Sequence, residues 1–507
     1  MLSWSIYICL AGAAAQFLLP AEDARPARAV ALLTALAALA CALGGALSLG
    51  AGGAPAVVAR IPWVPELGIQ YHLAADGISL TLLVLTGIAA VVGVLFSWNV
   101  EHRPTEFFAL YLVLLAGCFG VFLSFDLFLL FVFYELAIIP KYFLIAIWGS
   151  RQREYGAMKL ALYSFVGSAM VLAGLIAAYV AAGAKTFDLS ELAKFQYPAA
   201  FQAWAFPVVF IGFAILAGLW PFHSWAPTGH SAAPTAASML LAGVVMKLGA
   251  YGALRVAVTL FPEGAAQWRD VLGTLAAVGI LYGALVALTQ RDFKFVIGYS
   301  SVSHMGFVIL GMVSLSTLGM SGAVLQMFSH GIIGGLLFAV AGRMVYDRTH
   351  TRDLFDLERL QLHAVMPFAA VTFVLAGLAS MGLPGFSGFI AELKVLLGAW
   401  KVFPTLAVVA GAGILVGVAY TVRAIQMAFF GVATGEADPE TAAIRELTEG
   451  EHASPITVPE RLGAVILIGL TIALGLYPRL LLDWILPALQ SPLFDGVRRA
   501  GGLEGGL

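Results

Sequence analysis

Apolar runs of about 18 residues or more, long enough to cross a bilayer core, recur from one end of this chain to the other. They constrain the fold more than any motif. Of 507 residues, 61% are hydrophobic and 11% charged, with a mean hydropathy of +0.94. A soluble domain of that length needs far more charge on its surface. The weak alternating pattern of an outer-membrane barrel is absent, so the chain reads as an all-α polytopic membrane protein. A net charge of −2 and the lack of a basic cluster give no reason to expect a nucleic-acid partner. Cys9, Cys41 and Cys118 all fall inside apolar runs without paired spacing, and read as small core residues. The N-terminus lacks the basic start of a cleaved signal and reads as the first span.

Charged and Pro/Gly-rich punctuation divides the runs into about fourteen spans. Two are interrupted, by "LWPFHSWAPTGHSAAPT" (219–235) and by "MGLPGFSGF" (381–389) inside the run 365–400; the last run is 461–486. Proline removes backbone hydrogen bonds, and the freed groups need a polar interior rather than lipid. The breaks fall about five spans apart, which suggests two repeats of five helices in opposite topology. The expected organisation is an N-terminal three-helix segment (1–106), a first repeat (107–260), a second, inverted repeat (261–430), and a loop with a final helix (431–507). Numbering the loops in order, the odd ones hold Arg25, Arg28, Arg103, Arg151, Arg153, Arg291, Lys294, Arg343, Arg348, Arg352 and Arg359. The even ones hold little beyond Arg60, Lys185, Lys194, Arg269 and Lys401. That bias puts the odd loops, with the acidic stretch 435–452, in the cytoplasm and both termini outside.

Ionisable residues nevertheless stand deep inside the spans: Glu135 and Lys141, Lys247, His304, His330, Glu392 and Lys394. A charge at mid-bilayer costs about 2.5–3.5 kcal/mol on insertion scales, so several in one chain must face each other or water. Acids, bases and imidazoles strung through successive spans have the composition of a proton relay. Taken singly, a membrane histidine is more often a hydrogen-bonded packing residue, and Lys394 stands too close to Glu392 for both to point the same way. "GAGGAP" (50–55) does not sit between strand and helix, so it implies no dinucleotide fold. His223 and His230 lack the third ligand a metal site needs.

"FYELAIIPKYFLIAIWG", "PFHSWAPTGHSAAPTAASMLLAGVVMKLGAYGALR", "YGALVALTQRDFKFVIGYSSVSHMGFV", "THTRDL" and "GLPGFSGFIAELKVLLG" together resemble the antiporter-like membrane subunits of respiratory complex I, chain M type. The resemblance covers about residues 70–430. It implies fourteen helices, two inverted repeats and a central polar axis. It assigns Glu135 as the acid of helix 5, Lys247 as the central lysine of helix 8, His304 and His330 as connecting histidines, and Glu392 as the terminal acid of broken helix 12. Lys294 and Lys394 join the relay as further candidates. Two positions depart from the family pattern. Leu216 stands where a lysine normally pairs with the helix 5 glutamate, and "APTGH" replaces "LPDAH" beside His230. Lys141, six residues beyond Glu135 and about 120° out of register on a regular helix, is the candidate replacement if Pro140 admits a local bulge.

By this resemblance the chain is a proton-translocating subunit of a complex I-like NAD(P)H- or ferredoxin-quinone oxidoreductase in a bacterial inner membrane. It would bind no cofactor itself, with NADH, FMN, iron–sulfur clusters and quinone in partner subunits. Its neighbours would be two sister antiporter-like subunits and small membrane subunits. The alternatives are a subunit of a multi-subunit cation/proton antiporter, or a non-pumping brace of the membrane arm.

Overall fold

The computed structural model describes residues 1–21, 23–50, 52–431 and 455–501. The acidic stretch 435–452 lies outside the described residues. Helices α1 (Trp4–Gln16), α2 (Ala24–Leu49) and α3 (Gly77–Phe96) are followed by α4 (Pro104–Leu123), α5 (Leu127–Trp148) and α6 (Arg153–Ala181). Next come α7 (Ala199–Ala217), the half-helix α8 (Trp225–Ala232) and α9 (Thr235–Val258). The second half holds α10 (Pro262–Thr289), α11 (Phe293–Val313), α12 (Thr317–Thr349), the half-helices α13 (Pro367–Ser380) and α14 (Ser387–Trp400), then α15 (Pro404–Phe429). After the undescribed stretch come α16 (Val458–Leu476) and α17 (Arg479–Leu489). Twelve helices among the described residues are long and apolar enough to cross a membrane. The short α1 and the broken pair α13–α14 fill the two remaining places in the expected series.

Both breaks fall where the sequence puts them, but the last run differs. Helix α16 ends at Leu476 before Pro478, and α17 turns back onto α3, where Gly77 packs against the Trp484 carbonyl. The all-helical expectation also missed a two-stranded antiparallel sheet, β1 (Ala56–Val64) and β2 (Ile69–Ala75). Its turn ends at Gly68, φ +68°, where a Cβ would strike the Lys185 carbonyl. The hairpin marks one face of the molecule. The opposite face carries the Arg103, Arg151, Arg291 and Arg352 loops.

Aspartates cap the helices that begin at these faces. Asp126 accepts from Phe128 and Leu129 N–H at the start of α5, and Asp292 from Lys294 and Phe295 N–H at the start of α11. Each also anchors a two-bond bridge to a later loop. Leu127 N–H meets the Phe187 carbonyl and Leu189 N–H the Phe125 carbonyl, while Phe293 N–H meets that of Arg352 and Leu354 N–H that of Arg291. The first bridge lies on the hairpin face and the second on the arginine-rich face. Around the first, Asp188 takes the His72 Nδ1 at 2.8 Å and Arg60 at 3.2 Å. Burial alone raises the Asp188 carboxyl, but His72, a backbone N–H and Arg60 together hold it below its ordinary value.

Candidate functional site

The centre of the molecule is built by a close helix contact. Gly243 of α9 and Gly331 of α12 face each other so tightly that a Cβ on Gly331 would lie 2.8 Å from the Gly243 carbonyl. A turn of π-helix, Leu241–Val245, occupies the same stretch of α9. Such wide turns displace carbonyls from the regular ladder and recur at functional sites. Lys247, fully buried, uses one of them: its Nζ donates to the Ala242 carbonyl and lies 2.7 Å from His330 Nδ1. When Lys247 is an ammonium, His330 Nδ1 accepts from it and the ring's own hydrogen sits on Nε2.

From His330 the line continues to His304 on α11, the two ring centroids 5.4 Å apart. His304 Nδ1 meets the Ser300 carbonyl at 2.8 Å and Nε2 the Ser380 carbonyl at 3.1 Å. The Ser380 carbonyl stands at the C-terminus of α13, where a helix leaves its last carbonyls unpaired. Both ring nitrogens therefore face acceptors, and only the doubly protonated ring bonds to both. Glu392 Oε1 lies 3.5 Å from His304 Nε2 and 3.4 Å from Gln326 Nε2. Its other oxygen sits against Gly382, φ +71°, where a Cβ would come within 2.9 Å. The break in the chain thus supplies both the carbonyl for His304 and the space for Glu392.

The first half is assembled differently. Glu135, partly exposed on α5, accepts from Ser168 Oγ of α6. Lys141 is 1% exposed and its Nζ has no hydrogen-bond partner. Helix α5 runs unbroken through Pro140, so no bulge rotates Lys141 toward Glu135, and the expected ion pair is not formed. Lys141 feels Glu135 only as a nearby charge. Leu216 is buried beside Gly249 of α9, and the carbonyl of Ile215 accepts from Trp225 Nε1 at 2.8 Å. Lys394 also stays apart: its base packs on Gly322 and it joins none of the relay side chains.

Three groups escaped the sequence reading as members of this site. Lys159 of α6 donates to Thr228 Oγ1 at 3.3 Å, the threonine standing where the family pattern has aspartate. It lay within the sixth apolar run, which was its only signal. Gln326 had none. His230 is fully buried, stacked on Phe338 at 4.8 Å, and neither ring nitrogen has a partner. It lies within electrostatic range of Lys247 and Lys294. Lys294 donates to the Ala233 carbonyl at 3.0 Å and lines a 480 Å³ vestibule on the arginine-rich face, with Asn99, Glu101, Thr235 and Asp347. No group of three or more His, Cys, Asp and Glu poised to hold a metal ion occurs among the described residues.

Two broken helices enclosing a buried line of lysine, histidines and glutamate define an antiporter-like membrane subunit. The chain belongs to the family described as NADH:quinone oxidoreductase/Mrp antiporter, membrane-spanning, whose pattern matches residues 124–417. It is 38% identical over 440 residues to NADH-quinone oxidoreductase subunit M of Rhodobacter capsulatus, covering 84% of this chain and 82% of that one. It is 38% identical over 428 residues to NAD(P)H-quinone oxidoreductase chain 4 1 of Synechococcus sp. (strain JA-3-3Ab), covering 83% and 79%. Among solved structures it is similar to a chain of respiratory complex I from Thermus thermophilus, with TM-score 0.87, 28% identity and full coverage of both chains. A chain of the Mrp complex from Dietzia sp. DQ12-45-1b shares the fold, with TM-score 0.84, 21% identity and 99% coverage of each chain.

Proposed function

We propose that this chain is a proton-translocating membrane-arm subunit of a complex I-like NAD(P)H- or ferredoxin-quinone oxidoreductase. The observation that carries the reading is the connected line Lys247–His330–His304–Glu392, held inside an otherwise apolar bundle. Lys247 and His330 are hydrogen-bonded, while His330 and His304 face each other without a direct hydrogen bond, so transfer between the rings needs a bridging water, and each step changes the charge its neighbour faces. Protons reach the line from the vestibule at Lys294, and His230 lies within electrostatic range of both Lys294 and the central lysine. Glu135, with Lys141 acting through its field, forms the other arm. Electron transfer takes place in partner subunits, which hold the NADH, FMN, iron–sulfur and quinone sites. The sister antiporter-like subunits cover the flanks.

The two bridged aspartates, Asp126 and Asp292, on opposite faces support two inverted repeats. The arginine-rich loops support an orientation in a bacterial inner membrane with that face toward the cytoplasm and both termini periplasmic. A gradient-driven cation/proton antiporter shares the fold, but the relatives at 38% identity are named as quinone oxidoreductase subunits. The test compares proton pumping with quinone reduction in native membrane vesicles carrying Lys247→Met. Pumping per quinone reduced is expected to drop. An unchanged ratio would leave only a structural role.

A further inference from the structure

Past the central lysine, α9 and its cap carry a polar stripe that the relay does not use. Tyr251, Arg255 and Thr259 continue from Lys247 at intervals of four residues. The Tyr251 hydroxyl lies 3.1 Å from Ser79 Oγ and accepts from Arg255 Nε at 3.2 Å. Arg255 Nη2 reaches Asp76 Oδ1 at 2.6 Å, and both side chains are fully buried. Asp76 is itself fixed, because the same oxygen accepts from Ile78 and Ser79 N–H at the start of α3. The guanidinium is packed against aromatic rings, 5.2 Å from the Phe125 centroid and 5.8 Å from that of Phe494. One turn further on, Thr259 lines an 870 Å³ cavity on the hairpin face, together with Glu263, Asp495 and Arg499.

The stripe starts one turn past Lys247, whose Nζ reaches back to Ala242 and His330, and ends within one turn of water; the Tyr251 hydroxyl also lies 3.2 Å from the Phe122 carbonyl. A continuous hydrogen-bonded path there would short-circuit any gradient the relay builds. The group standing in the way is an arginine, which does not release its proton and carries a permanent positive charge. A fixed cation in a narrow passage repels a proton as it repels other cations, and selective pores use arginine in this way. Asp76 Oδ1, 2.6 Å from the guanidinium, offsets much of that charge, so the block rests chiefly on a group that is held in place and does not release its proton. A simple clamp between α3 and α9 would need neither the tyrosine link nor a position between lysine and cavity.

We propose that Arg255, locked to Asp76, is the proton barrier of this subunit toward the hairpin face. It closes the stripe between the Lys247–His330 pair and the cavity at Thr259. The idea rests on the reading that Lys247 carries protons. The test uses the intact complex in native membrane vesicles with no electron donor added. An acid pulse is applied, and the collapse of the pH gradient is followed with an internal pH dye. Asp76→Asn/Arg255→Met removes both charges together, and assembly is checked on a native gel. Collapse is expected to be roughly tenfold faster than in the parent vesicles. Arg255→Lys, which keeps a cation, should restore most of the seal. Adding Lys247→Met to the double variant should return the leak to the parent rate. If fast collapse persists in that triple variant, Arg255 still seals the stripe, but Lys247 is not the proton carrier. An assembled double variant with the parent leak rate overturns the barrier. Where the double variant does not assemble, Asp76→Asn/Arg255→Gln keeps a polar contact without charge and takes the same test.

Discussion

The two halves of this molecule share a scaffold and differ in chemistry. Both begin a helix with an aspartate cap tied by two backbone bonds to a later loop, at Asp126 and Asp292. Both contain a helix broken beside a glycine of positive φ, Gly218 and Gly382. The carbonyls freed by the breaks meet different fates. In the second half the Ser380 carbonyl takes His304, and the break becomes part of the polar line. In the first, the Ile215 carbonyl, which also accepts from Gly218 N–H, takes the Trp225 indole, which gives up no proton near neutral pH. Leu216 lies next to it. The comparison teaches that a broken helix supplies a polar opening, while the side chain that fills it decides whether protons can use it.

The largest effect should come from the second half. Glu392→Gln removes the acid at the end of the line, and pumping in donor-driven vesicles should fall below roughly a tenth of the parent rate. Quinone reduction measured with an uncoupler present should fall less. Glu135→Gln in the same assay should cost less, about two- to fivefold, because Glu135 has a serine partner in place of a basic one. If the two losses are equal, the halves are functionally alike and the contrast drawn here collapses.

Lys141→Met sharpens the comparison from within the first half. A buried amine without a hydrogen-bond partner is costly, so its removal should raise the thermal stability of the complex by about 1–3 kcal/mol. Pumping should fall no further than in Glu135→Gln, and combining the two should add nothing if Lys141 acts only through the field at Glu135. Additive losses would give Lys141 a proton-carrying role of its own.

The smallest effect concerns the hairpin. Because the Asp188 carboxyl is held below its ordinary value, it contributes stability that is present above about pH 4, the unfolded value, and lost as pH falls through the folded one. Asp188→Asn should remove this acid sensitivity. Protection of the 56–75 hairpin amides, followed by hydrogen exchange from pH 6 down to about 3, reads the difference.

Much of this was legible in the sequence, because lipid makes burial expensive. Glu135, Lys247, His304, His330 and Glu392 were visible as ionisable residues in runs where a charge needs a reason. The prolines at 221 and 384 located both breaks. Less accessible were features set by backbone detail. The π-turn at Leu241–Val245 leaves no mark in apolar periodicity, yet it lets Lys247 reach a carbonyl of its own helix. The hairpin was hidden because its strands, Ala56–Val64 and Ile69–Ala75, lack a sustained alternation of apolar and polar residues.

The sequence by itself determined the class of the protein, the number and rough position of its spans, and the residues whose burial demands partners. Composition and spacing are enough for that, since transfer into lipid is paid residue by residue. Which residues become partners was decided only in three dimensions. Six residues along a continuous α5 keep Lys141 from pairing with Glu135, whereas the contact of Gly243 with Gly331 brings Lys247 and His330 together across 83 positions of chain. Hydrogen bonds and ion pairs require approach within a few ångströms, and that approach is fixed by helix packing rather than by order along the chain.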